Sequence, residues 1–129
     1  MRVSFIHKWN ASAASYRYRA MIPAREMGAS MNDLTADVLI FAKPQPEEVK
    51  EIRRGSIVDF CDDWFDEYPW YEPMLDLADA ITCPTIGMRE RLRQRGFFAT
   101  VIPDPYEFAE SEPHCNGSNL LWFGHGTNI

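Results

Sequence analysis

The stretch that decides the fold is ADVLIFA, residues 36–42, a nearly continuous apolar run broken only by Asp37. Its length suits a β-strand that is buried on both faces, as strands of parallel sheets are. On either side of it, short apolar stretches alternate with segments of helical character. We interpret five further stretches as strands: residues 2–7, 56–61, 80–83, 97–102 and 119–123. This alternation, with short connections, predicts an α/β fold, a Rossmann-like doubly wound parallel sheet.

Start and stop signals predict the helices between these strands. We expect Ser15 to cap a helix that runs toward Gly28, and we expect Pro23 to kink or split it. A second helix is predicted from a Thr85 cap to Gly96, which lies at its carboxyl end. Both glycines suit the position just after a helix.

The clearest helical pattern lies at residues 46–55. Pro46 suits the first helical position, acidic residues follow in the first turn, and Arg53 and Arg54 occupy the last turn, so the charges oppose the helix dipole. A shorter helix is predicted at residues 73–79.

Composition and charge favour a globular domain and exclude several other classes of protein. Of the 129 residues, 46% are hydrophobic and 25% are charged, which is typical of a globular domain. The net charge of −6 is the wrong sign for a nucleic-acid partner. No apolar run is long enough for a transmembrane segment or a signal peptide. Cys61, Cys83 and Cys115 lack the spacing of a disulfide framework or zinc site, so we expect free thiols in a cytoplasmic protein.

Ligands of doubly wound sheets bind at the carboxyl ends of the strands. The candidate functional positions are therefore those that directly follow the predicted strands: residues 7–15, 43, 62–71, 84–85, 104–107 and 124–128.

The acidic pair Asp62 and Asp63 is the most conspicuous of these, because an aromatic and acidic segment follows it closely: Trp64, Phe65, Asp66, Tyr68, Trp70 and Tyr71. Carboxylates accept hydrogen bonds from sugar hydroxyls, and aromatic rings stack on the apolar faces of sugars. The alternative is that the carboxylates stabilise a turn and that the aromatic side chains cover the core.

The segment SYRYR, residues 15–19, opens the first predicted helix. Arg17 and Arg19 could hold a phosphate or carboxylate beside the backbone N–H groups of the helix start. The alternative is that these arginines are solvated and the neighbouring tyrosines pack. The loop before them lacks the glycine pattern of a dinucleotide-binding site.

Two histidines and a glycine turn complete the candidates. His7 ends the first strand, and His125 lies in the turn GHGTN, residues 124–128. Each histidine could act as an acid, a base or a hydrogen-bond donor. The alternative, which is commoner for a single histidine at the end of a strand, is a structural hydrogen bond. The glycines of that turn permit close approach to a phosphate, and an ordinary strand-to-helix turn is the alternative. No histidines have metal-ligand spacing, so no metal site is predicted.

In order along the chain, six elements resemble glycosyltransferases of the two-Rossmann-domain (GT-B) type, most of all bacterial and phage sugar transferases related to glycosyl transferase group 1. The elements are SYRYR with Pro23 before Gly28, ADVLIFAK, VDFCDDWF, LADAITCPT with its following helix, VIPDPYE and LLWFGHGTN. In that family the N-terminal domain mainly holds the acceptor, and the C-terminal domain binds a nucleotide-sugar donor.

The resemblance implies a role for each candidate residue but assigns no catalytic residue. The acceptor side of the cleft would contain His7, Ser12, Ser15, Arg17, Arg19, Asp62 and Asp63. The donor-facing turn would contain Gly124, His125, Gly126, Thr127 and Asn128. The nucleotide-sugar would be a substrate, so no cofactor is expected in this chain, and the partner would be a carbohydrate acceptor.

The resemblance also implies a domain organisation. Residues 1–106 would form the acceptor-side domain, residues 107–118 the linker, and residues 119–129 the first strand and glycine turn of a donor domain that is otherwise missing. We therefore expect the chain to be the N-terminal part of such an enzyme and to transfer no sugar alone. The apolar residues 120–123 would favour self-association.

Two other interpretations stay open. A receiver-like signalling domain shares the size, the parallel sheet and an acidic pair, but such domains place that pair after the first strand, where this chain has His7 and Lys8. A non-catalytic α/β binding module would keep the fold without the chemistry.

Overall fold

The structure, a computed structural model, describes residues 1–8 and 13–104. Within them, six strands form one sheet in which every neighbouring pair is parallel. The strands are β1 (Val3–Ile6), β2 (Ser30–Met31), β3 (Val38–Ala42), β4 (Ser56–Asp59), β5 (Ala80–Cys83) and β6 (Ala99–Val101). The predicted α/β Rossmann-like parallel sheet is therefore confirmed. The sequence did not predict β2, which has two residues.

The chain reverses direction across the sheet once. The strand order is β2-β1-β3-β4-β5-β6, so the chain steps from β1 to β2 and then returns to the other side of β1. Because parallel crossovers are right-handed, the two directions place their helices on opposite faces. Two apolar clusters fit this arrangement: Phe5 and Ala42 pack with Ala20 on one face, and Leu39 and Phe41 contribute to the larger cluster. The reversal between β1 and β3 marks the ligand-binding point of such sheets.

One helical segment connects β1 to β2. It consists of α1 (Ala14–Tyr16), a π-helical turn (Arg17–Met21) and α2 (Ile22–Met27). Ser15 is not its cap: Ala13 occupies that position, and no side chain there accepts a hydrogen bond from the backbone. Pro23 cannot donate a hydrogen bond to the preceding turn, and the wider π-helical turn lies directly before α2. Gly28 ends α2 at φ +63°, as predicted.

The segment predicted as the clearest helix, residues 46–55, is shorter and tighter than expected. It forms a 3₁₀-helix over Pro46–Glu51, and Ile52 is buried in an extended conformation. Arg53 lies beyond the helix, and its guanidinium donates to the carbonyl oxygen of Ala36 at 2.6 Å. These tertiary contacts outweigh the helical preference of the local sequence.

The remaining helices follow β4 and β5. They are α3 (Tyr71–Leu77) and α4 (Ile86–Gln94). The Thr85 cap is confirmed, because its hydroxyl oxygen accepts a hydrogen bond from the Met88 N–H at 3.1 Å. Of the helices in residues 1–8 and 13–104, none is both long and apolar enough to span a bilayer.

Candidate functional site

A groove of about 700 Å³ opens at the carboxyl edge of the sheet. Its lining comes from the segments that follow five of the strands, because all the strands are parallel and end at the same edge. The lining residues are Ala13, Ala14, Ser15, Tyr18 and Arg19 after β1, Lys43 after β3, Cys61 and Asp62 after β4, Pro84 after β5, and Asp104 after β6. The groove therefore spans the point at which the strand order reverses.

A buried ion pair forms the floor of the groove. Arg19 donates through Nε to Asp59 Oδ2 at 2.6 Å and through Nη2 to Asp59 Oδ1. The two side chains are only 6% and 4% exposed. Burial alone would lower the pKa of the Arg19 guanidinium, but the hydrogen bonds and charge of Asp59 raise it above its ordinary value. This fork geometry makes a strong, directional contact between the first helical segment and β4.

The same ion pair forms hydrogen bonds with β5 and with residues that follow β6. Arg19 Nη1 donates to the carbonyl oxygen of Ile102 at 2.7 Å and to Asp104 Oδ1 at 3.2 Å. The Thr82 hydroxyl donates to Asp59 Oδ1 at 2.6 Å. One guanidinium and one carboxylate thus connect the first helical segment to three strands and fix the shape of the groove floor.

The Cys61 thiol lies against this floor, with Sγ 3.4 Å from Asp59 Oδ2. Burial first, and the neighbouring Asp59 charge second, raise the pKa of the thiol above its usual range. Cys61 is therefore protonated at neutral pH, and the site does not supply a thiolate nucleophile.

Lys43 forms the rim where the strand order reverses. Its ammonium lies 2.6 Å from Asp62 Oδ2 and 4.4 Å from the centre of the Trp64 ring. Its backbone has φ +52°, in the left-handed region that non-glycine residues seldom adopt. Such strain concentrates at functional positions.

His7 lies behind this rim, at the end of β1. The residue is 2% exposed, and its ring meets the Tyr16 ring edge-on at 5.3 Å. Burial, followed by the charge of Lys43, lowers its pKa from 6.5 to about 4. The imidazole is therefore neutral at pH 7, and it does not line the groove.

The two aspartates of the acidic pair have different environments. Asp62 lines the groove and pairs with Lys43. Asp63 faces α4 instead, where its carboxylate lies 2.8 Å from Arg91 Nε. The structure thus brings one carboxylate of the pair into the groove and uses the other to hold the loop after β4 against α4.

The aromatic residues after Asp63 pack mainly on one another. Trp70 stacks on Tyr71 at 4.1 Å, and Trp64 contacts both Tyr68 and Tyr71. The lining of the groove includes Tyr18 but none of these rings. Of the two interpretations of this segment, the packing supports the one in which the aromatic residues cover the core.

The remaining predicted site residues are placed as follows. Ser15 and Arg19 line the groove, whereas Arg17 lies beside the Tyr18 ring, with its guanidinium carbon 5.6 Å from the ring centre. Ser12 and the donor-facing residues 124–128 lie outside the described residues, as do the predicted linker and last strand. Asp59 was not recognised from the sequence, although a carboxylate inside the apolar run of β4 is a signal that a buried partner must exist.

The described residues contain no cluster of three or more His, Cys, Asp or Glu side chains that could hold a metal ion. No protein-family model matches the chain, and comparison with curated proteins and with solved structures likewise finds no match.

Proposed function

We propose that this domain binds the carbohydrate acceptor of a GT-B-type glycosyltransferase. The observation that carries the proposal is the open groove at the strand-order reversal, lined by carboxylates, hydroxyls and an ammonium. Its volume of about 700 Å³ lies in the usual range for small-ligand sites. The reaction class is proposed from the resemblance of the sequence to such transferases, and the groove is proposed as the acceptor site.

The lining suits a ligand rich in hydroxyl groups. The carboxylates of Asp62 and Asp104 can accept hydrogen bonds from hydroxyls, the Lys43 ammonium can donate one, and the hydroxyls of Ser15 and Tyr18 can do either. The short side chains of the first helical segment and Pro84 leave apolar surface for the faces of a sugar ring. The role proposed for these groups is to bind and orient the acceptor.

The test is a binding screen with the 129-residue chain. Saturation-transfer NMR against a panel of neutral mono- and disaccharides would identify ligands, and chemical-shift mapping would locate them. We expect shifts at Ser15, Lys43 and Asp62, and we expect UDP-glucose and GDP-mannose to leave these residues unchanged.

A matched pair of variants tests the groove itself. Asp62→Asn should weaken binding of the sugar by about tenfold or more, because a charge-assisted hydrogen bond is lost. Asp76→Asn removes the same charge from the exposed surface of α3, outside the groove, and should leave affinity unchanged. Shifts confined to another surface, or the absence of sugar binding, would contradict the proposal.

One observation favours a second candidate function. The order of the first five strands, β2-β1-β3-β4-β5, is also that of flavodoxin-like folds, which include phosphoacceptor receiver domains. Against this candidate, His7 and Lys8 stand after β1, and Asp62 pairs with Lys43 after β4. Acetyl phosphate treatment followed by intact mass spectrometry distinguishes the two: a phosphate adduct would support the receiver, and an unmodified chain the sugar-binding domain.

A further inference from the structure

We infer that the groove selects an uncharged or amino-substituted sugar over a phosphorylated or acidic one. The inference rests on the proposed function, since it names the class of acceptor for the same site. It follows from how the charges around the groove are paired and from which of them a ligand would meet first.

The buried cation of the groove already donates four hydrogen bonds to protein acceptors. The Nε, Nη1 and Nη2 atoms of Arg19 all donate to protein acceptors, which are Asp59, the Ile102 carbonyl oxygen and Asp104. Its side chain is 6% exposed. An anionic ligand would have to break this network to reach the guanidinium. Arg19 therefore stabilises the groove floor and does not serve as a phosphate-binding charge.

The rim cation is also neutralised within the protein. Lys43 Nζ lies 2.6 Å from Asp62 Oδ2, and the side chain of Lys43 is 18% exposed whereas that of Asp62 is 43% exposed. A phosphate that approached Lys43 would come close to the Asp62 carboxylate as well. A hydroxyl group could instead donate to Asp62 without disturbing the pair.

Among the charged groups that line the groove, the carboxylates are more exposed than the cations. Among the described residues, the charged groups of the lining and floor are the cations Arg19 and Lys43 and the carboxylates Asp59, Asp62 and Asp104. Their net charge is therefore negative. Asp104 is 53% exposed, so a ligand meets carboxylates before it meets either cation. Like charges repel an anionic sugar, and an ammonium group on the sugar would be attracted.

The experiment uses matched sugars on the unmodified 129-residue chain. Methyl glycosides of glucose, galactose and mannose are titrated beside their 2-amino and 6-phosphate analogues and followed by chemical shifts of the groove residues. For the sugar that binds, we expect the amino analogue to bind at least as tightly as the neutral one and the 6-phosphate about tenfold or more weakly.

Two further readouts separate charge from size. The difference between neutral sugar and 6-phosphate should shrink when NaCl is raised from about 0.02 M to about 0.5 M, because salt screens the repulsion. It should also shrink in Asp62→Asn and stay unchanged in Asp76→Asn. Asp104→Asn provides a second groove variant with the same expected direction.

The outcomes distinguish the inference from the proposal beneath it. A 6-phosphate that binds in the groove as tightly as its parent sugar, or a difference that neither salt nor Asp62→Asn reduces, would overturn the inference and leave the sugar-binding function standing. If no neutral, amino or phosphorylated sugar changes the chemical shifts of the groove residues, the proposed function itself is wrong, and so is the inference that rests on it.

Discussion

Removing the charge of Asp59 should destabilise this domain more than removing any surface charge. Asparagine at position 59 keeps the size of the side chain but leaves the Arg19 guanidinium buried without its counter-ion. Arg19 and Asp59 are 6% and 4% exposed, so neither can be rehydrated without opening the groove floor. Breaking a buried pair in this way typically costs about 3–5 kcal/mol. That is a large part of the roughly 5–15 kcal/mol that stabilises a typical domain.

The assay is equilibrium urea unfolding followed by the fluorescence of the four tryptophans. With a slope of about 2 kcal/mol/M, the loss corresponds to a midpoint about 2 M lower for Asp59→Asn. Arg25→Met is the control, because Arg25 pairs with Glu26 at the surface, where the side chains are 70% and 65% exposed. Exposed pairs contribute about 0–1 kcal/mol.

A double variant tests the physical reason. Arg19→Met with Asp59→Leu removes both charges, so it should recover most of the stability that Asp59→Asn loses. A loss below about 1 kcal/mol for Asp59→Asn would refute the buried pair. A double variant as unstable as the single one would show that the hydrogen bonds to Thr82 and Ile102, rather than the uncompensated charge, stabilise the floor.

Three further predictions follow from other contacts. The free energy of unfolding of the wild type should fall relative to that of His7→Gln as the pH drops from 6.5 to about 4. The reason is that the unfolded chain binds a proton at His7 in this range and the folded chain does not. A constant difference between the two proteins across this range would contradict the buried, neutral imidazole. Thr85→Ala should cost about 1 kcal/mol in urea unfolding and Thr85→Ser much less, since serine keeps the cap of α4; equal losses would argue against the cap. Gly55→Ala should destabilise the domain more than Gly28→Ala. Both glycines have a positive φ, but of the two only the Cβ added at position 55 would lie 2.7 Å from a backbone oxygen, that of Asp37. The melting temperatures of the two variants test this order.

The sheet was predictable because its signals are local. The apolar run at residues 36–42 contains β3, the stretch at residues 80–83 matches β5, and the hydroxyl of Thr85 caps α4 as its position before the helix suggested. In contrast, β2 has only two residues, which are too few to show the alternation of apolar and polar residues that predicts a strand. The segment at residues 46–55 has helical charge placement, but burial of Ile52 and the distant contact of Arg53 end its 3₁₀-helix early.

The topology predicts where the candidate site lies in the fold, but it does not predict the contacts within it. Asp62 and Lys43 follow their strands, so topology alone puts them at the groove. The partner of Asp59 could not be inferred, because Arg19 lies 40 residues away and any of the 13 lysines and arginines could have neutralised it. Asp63 faces α4 instead of the groove because Arg91 lies there, a contact over 28 residues.

The groove floor also has a consequence for how the domain is assembled during synthesis. Arg19 bonds to the carbonyl oxygen of Ile102, 83 residues later in the chain, so this contact cannot form until β6 and the residue after it have been made. Contacts between such distant residues slow folding because a long loop must close first. A nascent chain that stops before Ala99 holds the whole of the first five strands but lacks two of the acceptors of Arg19. The sugar binding that we propose for the groove should therefore appear only after Asp104 has emerged from the ribosome, well after most of the sheet can form.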